Sequence, residues 1–448
     1  MEQKNNRLPV PIQNQLMYVG KQLETTQKLL AESKRKRIFD FALRQPEYFV
    51  SIITVYYPLS EYLIDKYKDK WSSFLLAFNE SLIWSIELIE KLKDSKNRIW
   101  AGLCSNTSLP WSFELIEKYE DKWNWEKIIE NEGIKCSIKL IEKYEDELDW
   151  TKLSKNEVIN WSIGLIEKYE DKWEWYNLSG NKSLPWSVEL IEKFKHRRHP
   201  YGWHWSSLSC NESLPWTVEL IEKYEDWWSW KWLSNNHSLP WSIELIEKYE
   251  DKWHWGWPGL NRNEELPWSI ELIEKYEDKW DWEELSMNES LPWSIELIEK
   301  YEDRWDFGSI GLSWNKSLPW SIELIEKYED KWYFGDTGLS RNESIPWSIE
   351  LIEKYNVKWD WKRLSRNVSI PWSVELLQKL DSKWDWKELS WNESIPWSIE
   401  LIEKFMDKWD HICLIKNEAV YQKVFQSDLT DDLIDEIMAI TKIENHWL

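Results

Sequence analysis

Fourteen times the chain returns to variants of one phrase, "PWSIELIEKYEDKW". About ten polar and aromatic residues follow, then an Asn, and then the phrase again. A period this short decides the class of fold before any single residue is weighed. Anchored on the Trp of "PWS" or its equivalent, copies begin at Leu59, Trp84, Trp111, Cys136, Trp161, Trp186, Trp216, Trp241, Trp268, Trp293, Trp320, Trp347, Trp372 and Trp397. Most spacings are 25 residues, four are 27 and one is 30. A unit of this size cannot bury an apolar face alone, so neighbouring copies must stack and share one core.

Within the copy "WSIELIEKYEDRW", helical spacing puts Trp293, Leu297, Ile298, Tyr301 and Trp305 on one face, with Glu296, Glu299, Lys300 and Asp303 opposite. The pattern predicts an amphipathic helix of about three to four turns. Pro292 suits its first position, where a missing N–H costs nothing. Ser294, central on the apolar face, predicts close approach of a neighbouring helix, with its hydroxyl bonded locally to backbone. A shorter helix fits "DWEELSMNES". Asn follows in every copy, including Asn288, Asn315 and Asn342. Its tolerance of left-handed backbone suits a helix end, and stacked copies would form an asparagine ladder.

The expected fold is therefore an all-α helical-repeat solenoid of about fourteen repeats, each with one long and one short helix. Layers 8–10 Å apart give a rod or superhelix of roughly 110–140 Å contour. Residues 1–57 would cap one end, 58–420 form the solenoid, and 421–448, including "DDLIDEIMAITKIENHWL", cap the other. The 40 Trp fill a thin core that lacks a second long helix.

Charge bounds the partners. The net formal charge is −23, but residues 1–57 carry nine Lys/Arg against five Asp/Glu, leaving −27 for the rest. Such a surface disfavours general nucleic-acid or anionic-membrane binding and permits basic partners or mimicry of a polyanion. The start "MEQKNNRLPV" lacks the apolar core of a signal peptide, and no run of 18 apolar residues occurs. Cys104, Cys136, Cys210 and Cys413 lie far apart and read as reduced, buried fillers of a cytoplasmic protein.

The pattern W-x-W-x-x-L-S-x-N-x-x-L-P-W appears as "WDWEELSMNESLPW" and "WDWKELSWNESIPW". It resembles tryptophan-rich tandem repeats of some Bacteroidetes proteins, and a similar W-x-W-x-x-[IL]-S-x-N core occurs in repeat proteins of giant DNA viruses. The resemblance covers about residues 58–418. It implies a solenoid in a bacterial or viral setting and carries no catalytic residues.

The residues themselves show no catalytic constellation, and neither a metal nor a cofactor is expected. Paired carboxylates lie on the solvated helix face, and three histidines (His196, His199, His204) in one loop are weak metal ligands. The residue seven after the repeat Trp is Lys in all fourteen copies, Lys300 and Lys327 among them. An i,i+4 pair with Glu does not account for it, because Lys143 follows Lys139 and Lys168 follows Gly164. Pairing with acids of adjacent layers would, in rows such as Glu299, as would an anion-binding row.

In repeat proteins, function sits at positions that vary on a constant frame. The residue before the ladder Asn varies, and late copies place Met287, Trp314, Arg341, Arg366 and Trp391 there, with Lys362, Arg363 and Lys387 nearby. These residue types dominate interface hot spots. Glycine-bearing insertions ("WGWPGL", "FGSIGL", "FGDTGL") should line the same edge. Residues 195–205, "KHRRHPYGWHW", form a unique basic insertion in which Arg197, Arg198 and Tyr201 could contact a partner. The sequence thus points to a non-enzymatic protein-interaction scaffold. The alternatives are a polyanion mimic that occupies a DNA-binding protein, and nucleotide or single-strand binding by basic–aromatic patches.

Overall fold

The computed structural model describes residues 10–93, 98–134, 137–195 and 202–441, apart from the side chains of 10–21, 25 and 98. Every regular element among the described residues is helical. Most repeats contribute two helices, and the second helices stack layer on layer along the chain.

The first helix of each repeat is shorter than its apolar spacing predicts. It spans Ile295–Lys300 in the copy quoted above, six residues in place of three to four turns. Ser294 is its N-cap: the backbone is extended (φ −145°, ψ 164°), and the hydroxyl accepts the Leu297 N–H at 3.1 Å. Pro292 thus lies outside the helix, two residues before the cap. Tyr301 ends the helix at φ −120°, ψ 31°, and a turn then carries Trp305 into the core. The i,i+4 spacing of apolar residues continues through that turn, which is why it reads as helix.

A six-residue helix leaves more backbone groups orphaned than it pairs. Tryptophan supplies the missing donors. Trp305 Nε1 donates to the Leu297 carbonyl at 3.3 Å, and Trp332 to that of Ile325 at 3.1 Å. The "PWS" residue Trp320 donates to the Asn315 carbonyl at 2.9 Å. Trp282, which opens a second helix, donates to the Glu277 carbonyl at 3.3 Å. The same rings fill the core, with Trp305 packed against Trp282 and Trp293 at 4.8 Å each. Trp is frequent because these rings serve at once as core aromatics and as donors to backbone carbonyls that the short helices leave unpaired.

The second helix runs Trp361–Arg366 in one 25-residue copy. In two of the 27-residue copies it shrinks to single 3-10 turns, Leu260–Arg262 and Leu339–Arg341. The Leu260 N–H there closes the inserted loop on the His254 carbonyl at 2.9 Å. A Cβ on Gly259 would lie 2.0 Å from that oxygen, so close approach demands the glycine.

The two ends of the stack meet. Helix Pro46–Tyr56 packs between the last second helix, His411–Lys416, and the first, Ser73–Leu76. Helix Asp431–Ile440 takes the place of a first helix beside Glu61–Lys66. Thr430 caps it by accepting the Leu433 N–H at 3.2 Å, as the repeat serines do, and Asp435 accepts Lys66 at 2.6 Å. Thr54 donates back to the Val50 carbonyl, and Asn79 donates its amide to the carbonyls of Thr54 and Tyr57, both at 2.9 Å. The chain ends thus build one composite layer that joins the fourteenth repeat to the first. The terminal segments, expected to cap the two ends of a rod or superhelix, instead meet and close it into a ring.

Phe425 sits at the centre of this seam, 5.7 Å from Phe41 and 6.0 Å from Phe49, and Tyr56 stacks on Tyr421 at 5.4 Å. Lys34, Arg35, Arg37 and Arg44, from helix Val10–Arg44, pair across it with Asp428, Glu436, Glu400 and Glu403. The basic N-terminal segment thus meets the acidic end of the solenoid. Second helices of adjacent layers approach one another more closely than first helices do. In a closed ring every row has the same number of layers, so the more tightly spaced row lies at the smaller radius. The second helices line the inner side, at a radius of roughly 19–24 Å for 8–10 Å layers.

Candidate functional site

Three constant rows define the frame. The Asn315 amide donates to the carbonyls of Ser286 (3.0 Å) and Asn288 (3.1 Å) in the preceding layer, and its oxygen accepts the Ser317 N–H at 2.9 Å. Asn288 and Asn342 repeat the pattern, reaching Asn261 and Asn263, and Ser313 and Asn315. The ladder backbone is extended, at φ −71°, ψ 117° for Asn342, and not the left-handed conformation expected of a helix end. Every ladder Asn described here is buried except Asn156, which is half-buried, and the amides bond to the chain itself rather than facing solvent.

A second ladder runs beside it, signalled by the Ser of L-S-x-N in the motif. Ser286 Oγ donates to the Trp282 carbonyl at 2.6 Å and accepts the Asp306 N–H of the next layer at 2.9 Å. Ser365 and Ser390 do the same. Between Ser154 and Ser390 one layer breaks the row: Asn261 replaces Ser, is fully buried, and has no partner at either amide atom.

The lysine row runs along the first helices. Lys300 pairs with Glu274, Lys327 with Glu299, and Lys354 with Glu326 at 2.5 Å, always one layer back. Lys143 and Lys168, which lack an acid four residues earlier, reach Glu117 and Glu142 at 2.5 Å. The bonded carboxylate raises the Lys300 pKa above its ordinary value. A second cation row caps the aromatics: Lys331 bonds Glu302 at 2.6 Å and lies 5.2 Å over the Phe307 ring. These first-helix rungs therefore alternate in sign and do not form an unbroken array of anions.

Against these rows, the residue before the ladder Asn is open. Met287 and Trp314 are half-buried, and Arg341, Arg366 and Trp391 are exposed, all beside the inner second helices. The Arg341 guanidinium lies 5.0 Å over the Trp314 ring. Arg366 and Lys362 share Glu388 at 3.6 and 3.7 Å, Arg363 is half-buried, and Lys387 is exposed. Trp257, from a glycine-bearing loop, is 58% exposed and lies under the ammonium of Lys231, which is on a second helix. That loop therefore joins the same edge.

Comparison with protein-family models, curated proteins and solved structures finds no match to this chain.

Arg197, Arg198 and Tyr201, with His196 and His199, lie outside the described residues. Beside them, Lys195 and Lys223 hold Glu192 down to a pKa of about 2. His204 caps a second helix: its Nδ1 accepts the Ser207 N–H at 3.3 Å. Among the described residues no cluster of His, Cys, Asp and Glu could hold a metal ion, and no helix is long and apolar enough to cross a membrane. Cys104 and Cys413 are buried, Cys136 is outside the described residues, and Cys210 departs from the expected burial by lying exposed. Desolvation of its sulfur still pushes the Cys210 thiol up to about 11, so little thiolate forms near neutral pH.

Proposed function

We propose that the protein is a non-enzymatic scaffold, a closed ring that holds a partner protein against its inner edge. One observation carries this reading. The row Met287, Trp314, Arg341, Arg366 and Trp391 offers open aromatic and guanidinium surface on successive layers, while the ladder Asn and Ser beside it bond to the chain itself. The few residues that dominate interface affinity are enriched in Trp, Tyr and Arg, and the aromatic–guanidinium pair at Trp314 and Arg341 is already organised.

Crosslinking pull-down from the native cell tests it, using the intact chain and a variant with Trp314, Arg341, Arg366 and Trp391 all changed to Ala. The expected result is a partner captured by the first and lost by the second, at unchanged melting temperature. Recovery of the same partner by both would remove the site. Binding that falls steeply with salt and is competed by duplex DNA would instead mark a polyanion mimic.

A further inference from the structure

A groove of about 590 Å³ opens on the inner edge across four layers that precede the Arg–Trp row. Its origin is visible in the side chains. At the open position before the ladder Asn, two successive layers carry Gly180 and Cys210, where the layers from Arg262 to Trp391 carry Arg, Met or Trp. Gly180 closes helix Trp175–Gly180 with ordinary helical chemistry around it, and a Cβ added there would meet nothing within 4 Å. No packing or close approach demands the glycine, and its cost to the helix is not offset by a contact. Its effect is to leave the notch empty.

The walls and floor define what would fill it. Tyr176, 58% exposed, stands at one side, held by an edge contact to the His204 ring at 4.8 Å. Trp232, 37% exposed, stands two layers further on, roughly 16–20 Å away. Between them lie Asn177, Ser206 and Ser207. His204 Nδ1 is engaged by the Ser207 N–H at 3.3 Å and lies 3.0 Å from the Ser207 hydroxyl, so Nε2 is the ring nitrogen left to meet a ligand hydroxyl. Charge is balanced: Lys155 is the one Lys or Arg of the lining, and Glu157 answers it. A phosphate or carboxylate ligand would find no net attraction, whereas flat apolar faces edged with hydroxyls would find aromatic walls and an amide–hydroxyl floor.

We propose that this groove binds an uncharged oligosaccharide, with sugar faces on Tyr176 and Trp232 and hydroxyls on Asn177, Ser206, Ser207 and His204. The site is separate from the Arg–Trp row, so it stands or falls independently of the scaffold reading.

Calorimetric titration and Trp emission of the full chain with cellohexaose, maltohexaose, xylohexaose and chitohexaose test the proposal, with AMP and an oligothymidylate alongside. At least one hexaose should bind at millimolar concentration or better. Trp232→Ala and Tyr176→Ala should each weaken it about tenfold or more, a shift of about 1.4 kcal/mol. Gly180→Arg should abolish binding by filling the notch while leaving the melting temperature unchanged. Failure of all four sugars, binding indifferent to Gly180→Arg, or Gly180-dependent binding of AMP or the oligothymidylate alone would each overturn it.

Discussion

At the scale of the residue, the ladder Asn is chosen for having donors and an acceptor on one short side chain. Ser is too short to reach both carbonyls, and Asp has no donor for them. Asn315→Ala should orphan the acceptors at Ser286 and Asn288 and the Ser317 N–H, costing about 2–4 kcal/mol in denaturant unfolding. Asn315→Asp should cost at least as much near neutral pH, because its carboxylate would face two carbonyl oxygens. An Asp variant as stable as the parent would show that the ladder bonds are dispensable. Asn261 makes the opposite case. Both its amide atoms are buried and unpaired at a position where nine other layers use Ser. Asn261→Ser should restore the hydroxyl link to the Asp281 N–H and raise stability by roughly 1–2 kcal/mol. A lower urea midpoint for this variant would show that the amide is better accommodated than its geometry implies.

At the scale of the element, local signals were readable and their limits were not. The 25-residue period, the helical class and the ladder Asn are written in repeated letters. Helix length was not, because Trp293 and Trp305 keep helical spacing while lying in the turns that flank Ile295–Lys300. Ser294 reads as a packed-face residue for the same reason: spacing alone cannot distinguish a small residue on a packed face from a cap. Ser294→Ala should therefore cost about 1 kcal/mol and Ser294→Gly only a few tenths. Were Ser294 a close-packing residue, Ala would be tolerated.

The same helices set the pH range of stability. Helix-start glutamates such as Glu244, Glu271, Glu296 and Glu323 are held below their ordinary 4.5 by backbone N–H groups and the cap hydroxyl. Their contribution is full above 4.5 and is lost as pH falls through the lower folded value. Lys248, Lys275, Lys300 and Lys327 are held above 10.5 by their glutamates, so their contribution is present below 10.5 and lost as pH rises through the folded value. The melting temperature should be nearly flat between these limits and fall on both sides. A maximum confined to a narrow band near neutrality would contradict this.

At the scale of the whole molecule, ring closure was legible only in fragments. The charge difference between residues 1–57 and the rest was plain, and it is this segment's cations that pair with Asp428, Glu436, Glu400 and Glu403. "LTDDL" carries the cap spacing of "WSIEL", as Thr430 and Leu433 show. Neither fragment reveals that the two ends share a layer, because stacking curvature is the sum of small rotations that no single repeat encodes. Closure has a testable consequence. Each exposed ion pair at the seam is worth little, so its strength rests on Phe41, Phe49 and Phe425, all fully buried. Phe425→Ala should cost about 3–5 kcal/mol at the seam, yet leave the repeats bonded to their neighbours. Deleting residues 1–57 should go further and expose the open faces of the first and last layers. Far-UV circular dichroism should then retain the helical signal of the repeats. Small-angle scattering should show a longer maximum dimension, or a larger particle where two opened copies join end to end. An unchanged scattering profile after the deletion would mean that the solenoid holds its curvature without the composite layer, and that the N-terminal helices decorate the ring rather than close it.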